Sequence, residues 1–172
     1  MLSQKMQDAL NEQIAHEFYA SHLYLSMSAY YESNNLPGFA HWMRMQSEEE
    51  RTHALKFFDF INDRSGRVVL NAIEQPPGDF ASPLDAMQQA LAHEQQVSAA
   101  INKLYDVATQ ERDYAAQTLL YWFIDEQVEE EKNTGNVVEQ LKLVGNEGLG
   151  LFMLDRQLAG RQDEGSGEGT AA

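Results

Sequence analysis

Gln46-Ser47-Glu48-Glu49-Glu50-Arg51-Thr52-His53 lies inside a segment whose apolar residues, Phe39, Trp42 or Met43, Phe57 and Phe60, recur at helical spacing. That row predicts a helix with one face turned to a core. Continued through the middle, it passes over Gln46, Glu50 and His53. A carboxylate and an imidazole one turn apart on an apolar face are costly unless something compensates them. Glu50 and His53 form an E-x-x-H pair, and the i,i+3 spacing points both side chains the same way. A metal ion is the natural partner of such a pair. Taken alone, the pair is better read as an exposed acidic run with one satisfied histidine, and the metal reading needs support from elsewhere in the chain.

Three other segments repeat the anomaly. From Ser3 to about Ser33 the chain lacks proline and glycine, with Ser3 as N-cap and Asn34-Asn35 before Pro37-Gly38 as a stop. The core row of this first helix is Met6, Leu10, Ile14, Glu17, Ala20, Tyr24, Met27 and Tyr31, and Glu17 breaks it. The second helix, from Leu36-Pro37 to about Asp63, carries the opening stretch. The third opens on Ser82-Pro83 with Asp85 in its first turn. Its row, Leu84, Met87, Leu91, Glu94, Val97 or Ser98, Ile101, Leu104 and Ala108, is broken by Glu94. The fourth runs from about Asp113 to Leu143, with Gly135 expected as a kink or weak point. Its row is Leu119 or Leu120, Phe123, Gln127, Glu130, Thr134, Val138 and Leu141. Glu126, Glu129 and Glu131 crowd beside it, and a bound cation would remove their mutual repulsion; a solvated acidic face suffices for Glu131.

Residues 64–81, with Gly66 and Pro76-Pro77-Gly78, fit neither helix nor sheet. In a bundle, a connection this long serves as a crossover that returns the chain to its starting end. Gly145-Asn146 stops the fourth helix, and Glu147 to Leu158 forms a short, unusually apolar fifth one, expected to pack on the bundle or on another subunit. Its Leu151, Phe152 and Leu154 are expected between subunits. One domain over residues 1–160 and a flexible tail over 161–172 complete the organisation.

Composition narrows the chemistry. A formal charge of −15 with pI near 4.5 argues against nucleic acid and anionic membrane surfaces, and for cations. Without cysteine there is no disulfide, thiolate zinc site or iron–sulfur cluster. Carboxylate and imidazole remain, which suit iron, manganese or zinc. No signal peptide or membrane-spanning run is evident, so a cytoplasmic protein is expected. Every long helix thus places ligand-type residues at mid-length on its core row. Antiparallel packing brings helix midpoints together, and clustered buried carboxylates are best explained by multivalent metal, two ions with Glu50 as the bridge.

Glu17, Glu49-Glu50-Arg51-Thr52-His53, Glu94 and Glu126-Gln127-Val128-Glu129-Glu130 resemble the ferroxidase-centre motifs of ferritins, specifically the non-haem bacterial ferritins, over residues 1–160. The resemblance implies an all-α, ferritin-like four-helix bundle with one long crossover and a short fifth helix, itself a standing example of that bundle type. It implies that Glu17, Glu50 and His53 hold one iron, that Glu50, Glu94 and Glu130 hold a second, and that Gln127 lies beside them. Tyr24 and Trp122 match aromatic residues near the centre. Glu49, Glu126 and Glu129, with Glu130 shared, match a third iron site. A second E-x-x-H is missing, since Asn133 stands three after Glu130. The haem-ligand methionine of bacterioferritins falls at Arg51, so no haem is expected, and the acidic channel pair of animal ferritins falls at Gln117 and Leu120.

Iron storage follows as the expected function. Fe(II) is oxidised by O2 or peroxide at the paired site, and ferric mineral is enclosed by a homo-oligomeric shell, of 24 subunits by resemblance. A soluble di-iron oxidase acting on an organic substrate is the alternative, and the missing second E-x-x-H weighs against it. A non-catalytic acidic helical module would leave the buried-position glutamates unexplained.

Overall fold

The computed structural model describes residues 2–145 and 148–161. It contains α1 (Gln4–Ser33), α2 (Pro37–Asp63), α3 (Pro83–Gln110), α4 (Tyr114–Val144) and α5 (Gly148–Leu158), with no strand among the described residues. Ser3, Ser82 and Asp113 cap α1, α3 and α4 by accepting from the N–H groups of Met6, Asp85 and Ala116. Tight turns in which Asn35 and Arg112 adopt positive φ (58° and 54°) close the α1–α2 and α3–α4 hairpins.

The crossover is traced by its contacts with α1. Near the start of that helix Gln7 accepts from Arg67 N (2.8 Å), while Asn11 donates to Arg67 O (3.1 Å) and accepts from Val69 N (2.9 Å). Near its end Ser26 donates to Pro77 O (2.6 Å) and Tyr31 to Pro83 O (2.8 Å). The segment therefore travels the length of the bundle, and α3 starts at the end where α2 started. The two are parallel, as the crossover reading requires.

Two apolar clusters form the core. One joins Tyr24, Met27 and Tyr31 to Phe39, Met43, Met87, Leu141 and the inner face of α5. The other joins Met6, Leu10 and Ile14 to Phe57, Ile61, Ile101, Leu104, Leu120 and Phe123. Between them, at mid-helix, lies a buried polar band of Glu17, Gln46, Glu50, His53, Glu94, Gln127 and Glu130.

Several expectations need adjusting. On α2 the row passes through buried Ile61, leaving Phe60 half-buried, and on α3 Ala90 takes the innermost place beside half-buried Leu91. The fourth helix continues through Gly135 without interruption. Leu151 and Leu154 are buried against their own bundle, whereas Phe152 faces outward. An amphipathic helix can cover only one neighbour with one face, and here the inner face goes to the subunit itself. Asn146, Glu147 and the tail beyond Arg161 lie outside the described residues. No described helix is long and apolar enough to cross a membrane.

Candidate metal centre

Mid-length positions of the four long helices meet in the polar band, and one set of side chains there has the spacing of a metal site. Single ligand atoms of Glu17, Glu50 and His53 lie within 4.8 Å of one another, all buried; among the described residues this is the one such set. His53 Nδ1 is 3.4 Å from Glu50 Oε2. Gln13, one turn before Glu17, donates to Glu17 Oε1 at 2.8 Å. Glu17 Oε2 and Glu50 Oε2 have no hydrogen-bond partner. Buried carboxylate oxygens without a donor are uncommon, because each forfeits its hydration. A polyvalent cation supplies what both lack, and the donor set of two carboxylates and an imidazole fits iron.

Glu94 and Glu130 complete the band, each held by its neighbours. Tyr24, fully buried, donates to Glu94 Oε1, and Gln127 Nε2 reaches Glu94 Oε2 at 3.1 Å and Glu94 O at 3.2 Å. Gln46 Nε2 donates to Glu130 Oε2 at 2.7 Å. Burial raises the Glu17 carboxyl well above its ordinary value, with the charge of Glu50 next, and does the same to Glu50 with help from Glu94 and Glu130. Burial also raises Glu94 and brings Glu130 to about 7. Four carboxyls pressed toward their neutral forms mark a site that stays charged only against compensating positive charge.

The residues matched to a third iron are not drawn into a comparable set. Glu49 is turned toward Arg161, Glu126 is half-buried and Glu129 exposed. Trp122 lies edge-on to His53, ring centroids 5.6 Å apart, with Lys56 Nζ 3.8 Å over its own ring. Three supporting residues escaped the sequence reading. Gln13 could have been found from its place one turn before Glu17. Ser98, offered only as a row position, donates to Glu131 Oε1 at 2.5 Å, so Glu131 is not a merely solvated acid. Arg161 falls in the expected tail, and nothing local in the sequence points to its contacts with Gln46 and Glu49.

A family model described as a ferritin-like domain matches residues 7–144. Among curated proteins, the bacterial non-heme ferritin of Bacteroides fragilis is 42% identical over 161 residues, covering 94% of this chain and all of the relative. That of Staphylococcus saprophyticus is 40% identical, covering 94% and 96%. Among solved structures, an open-pore ferritin from the archaeon Archaeoglobus fulgidus superposes with TM-score 0.93 at 46% identity, covering 94% of this chain and 100% of that one. With the family model matching most of the chain and relatives 40–46% identical along nearly all of it, the chain belongs to the ferritin family.

Proposed function

We propose that this chain is the subunit of an iron-storage shell that oxidises Fe(II) to Fe(III) at an intrasubunit paired site and encloses the ferric product. The observation that carries the reading is the convergence of Glu17, Glu50 and His53 with two unpartnered buried carboxylate oxygens among them. Glu17, Glu50 and His53 hold one Fe(II); Glu50, Glu94 and Glu130 hold the second, with Glu50 between the two. Carboxylate oxygen stabilises Fe(III) over Fe(II), which favours loss of one electron from each ion to O2 or peroxide. Gln127 and Tyr24 position Glu94, and Tyr24 presents its hydroxyl at the edge of the site. Burial and the neighbouring Glu94 raise the Tyr24 hydroxyl well above its ordinary pKa, so it acts as a proton donor in hydrogen bonds.

Glu49, Glu126 and Glu129 form, in this reading, a third and weaker position beside the pair, one that shapes later turnovers without starting the reaction. Membership of the ferritin family and the likeness to the archaeal open-pore ferritin support a homo-oligomer, for which we adopt 24 subunits. The direct test adds Fe(II) aerobically to the purified protein and follows it by size-exclusion chromatography with iron analysis. A large particle retaining many irons per subunit is expected. Oxidation without retained iron overturns storage, and absence of fast oxidation overturns the ferroxidase reading.

A further inference from the structure

Arg161, the last residue described, returns to α2 and buries its charge there. Its Nη2 donates to both oxygens of Glu49, at 3.1 Å to Oε1 and 2.8 Å to Oε2, and its Nη1 donates to Gln46 Oε1 at 2.5 Å. The guanidinium stacks 4.7 Å over the Trp42 ring, and the Arg161 carbonyl lies 2.9 Å from His41 Nε2. Only 18% of the Arg161 side chain and 21% of that of Glu49 remain exposed. This is a built arrangement: a planar cation stacked on an aromatic face and fixed on a carboxylate by several charge-assisted bonds.

Its place in the fold gives it a further meaning. Glu49 adjoins Glu50 in sequence, and both its oxygens are engaged by Arg161. Gln46 carries the contact one step further, because the amide that accepts from Arg161 donates to Glu130 Oε2 at 2.7 Å. A single guanidinium therefore reaches one carboxylate of the proposed third position directly and a carboxylate of the paired site through one amide.

We infer that Arg161 and a metal ion are mutually exclusive partners of Glu49, so that the segment following α5 acts as a tethered cation that weakens and times metal occupancy of the third position. The inference rests on the third-site reading given above. Two positive groups cannot both sit in contact with one largely buried carboxylate without strong repulsion. Metal arrival must therefore displace the guanidinium, and by linkage the cost appears as reduced metal affinity. The same segment would swing away when Glu49 is occupied, releasing Gln46 and loosening its hold on Glu130.

Zinc(II), which is redox-inert, serves as the probe. It is titrated calorimetrically into the assembled, metal-free protein as wild type, Glu49→Gln, Arg161→Gln and Arg161→Lys. The ion lost in Glu49→Gln identifies the third position. In Arg161→Gln that ion is expected to bind about tenfold more tightly, within the roughly 5–150-fold span typical of coupling between two ligands. Arg161→Lys, which keeps the charge without the fork, should fall between. If Arg161→Gln fails to assemble, the Arg161→Lys comparison decides alone, through a smaller gain. A Glu49-dependent ion of unchanged or lower affinity in these variants overturns the inference and leaves the third site standing, with Arg161 a plain anchor. Absence of any Glu49-dependent ion overturns the third-site reading, and this inference with it.

Discussion

Glu50 sits where a bare carboxylate is least tolerable, fully buried, raised by its burial and by Glu94 and Glu130, with one oxygen unpartnered. Replacing it by alanine removes the ligand shared by both halves of the proposed site. Fast Fe(II) oxidation is expected to fall by about 100-fold or more, beyond the ~10–100-fold loss that follows from removing an outer partner of a metal ligand. Stopped-flow absorbance would reveal it, and a rate equal to wild type would place the chemistry elsewhere. The same substitution takes one repelling acid from a crowded band, so the metal-free protein should melt no lower than wild type. The neighbours give a pH dependence whose sign is fixed. Glu130 has an ordinary value of 4.5 and is brought to about 7 by burial first and Glu94 next, so the folded metal-free state binds more protons than the unfolded one. Its stability is therefore greatest on the acid side and declines as pH rises from about 4.5 through about 7. Glu17, Glu50 and Glu94, raised for the same chief reason, extend the decline. Denaturant midpoints of chelator-treated protein across that range should show it, and added zinc should flatten it, because a bound cation restores the charged forms. A midpoint that climbs with pH would contradict the buried-carboxylate picture.

At the scale of elements, the contact that most repays testing joins α5 to α2. Leu36 at the N-cap of α2 offers no side-chain bond, and Asp155 supplies one from α5: its Oδ1 accepts from Gly38 N at 2.8 Å and Phe39 N at 3.0 Å. The approach is so close that a Cβ on Gly38 would run into the Asp155 backbone carbonyl and its side chain. Asp155→Ala is expected to cost about 1–2 kcal/mol, the usual worth of an N-cap, and Gly38→Ala about 1–3 kcal/mol by overpacking. Thermal denaturation checks both, and a midpoint within error of wild type for either would remove the cap from the account. This link also shows where sequence reading stops. The rows of α1 and α4 were legible almost residue by residue, because helical period alone fixes which side chains share a face. The polar band followed, since Glu17, Glu50, Glu94 and Glu130 are anomalies within those rows. Yet Gly38 and Asp155 are 117 positions apart, and Glu49 and Arg161 are 112 apart. Neither pair leaves a periodic trace, and each exists only once α5 and the residues after it fold back on the bundle. For the same reason Leu151 and Leu154 were legible as buried but not by which neighbour.

For the whole molecule, the described residues enclose two apolar clusters and a carboxylate band but no space for mineral, so the proposed storage needs assembly. The outer face of α5 suggests where subunits meet. Leu149, Phe152 and Met153 are 73%, 57% and 63% exposed, close in sequence to Leu143 at 87%. Apolar side chains gathered like this on a protein of charge −15 are a liability unless covered. Truncating the chain before Glu147 would be an ambiguous test, because it also uncovers the core that Leu151, Leu154 and Leu158 protect. The outer face can be tested by itself. Phe152→Glu with Met153→Glu leaves the inner face and the Asp155 cap untouched while setting like charges into the proposed contact. Burying an unpaired charge at an interface is strongly unfavourable, so the double variant should elute as a small species with unchanged helical circular dichroism. Its initial Fe(II) oxidation should persist, since Glu17, Glu50 and His53 belong to one subunit, while retained iron is lost. A particle of wild-type size that still fills with iron would mean that this face looks into water or into the cavity, and that the shell closes through other surfaces.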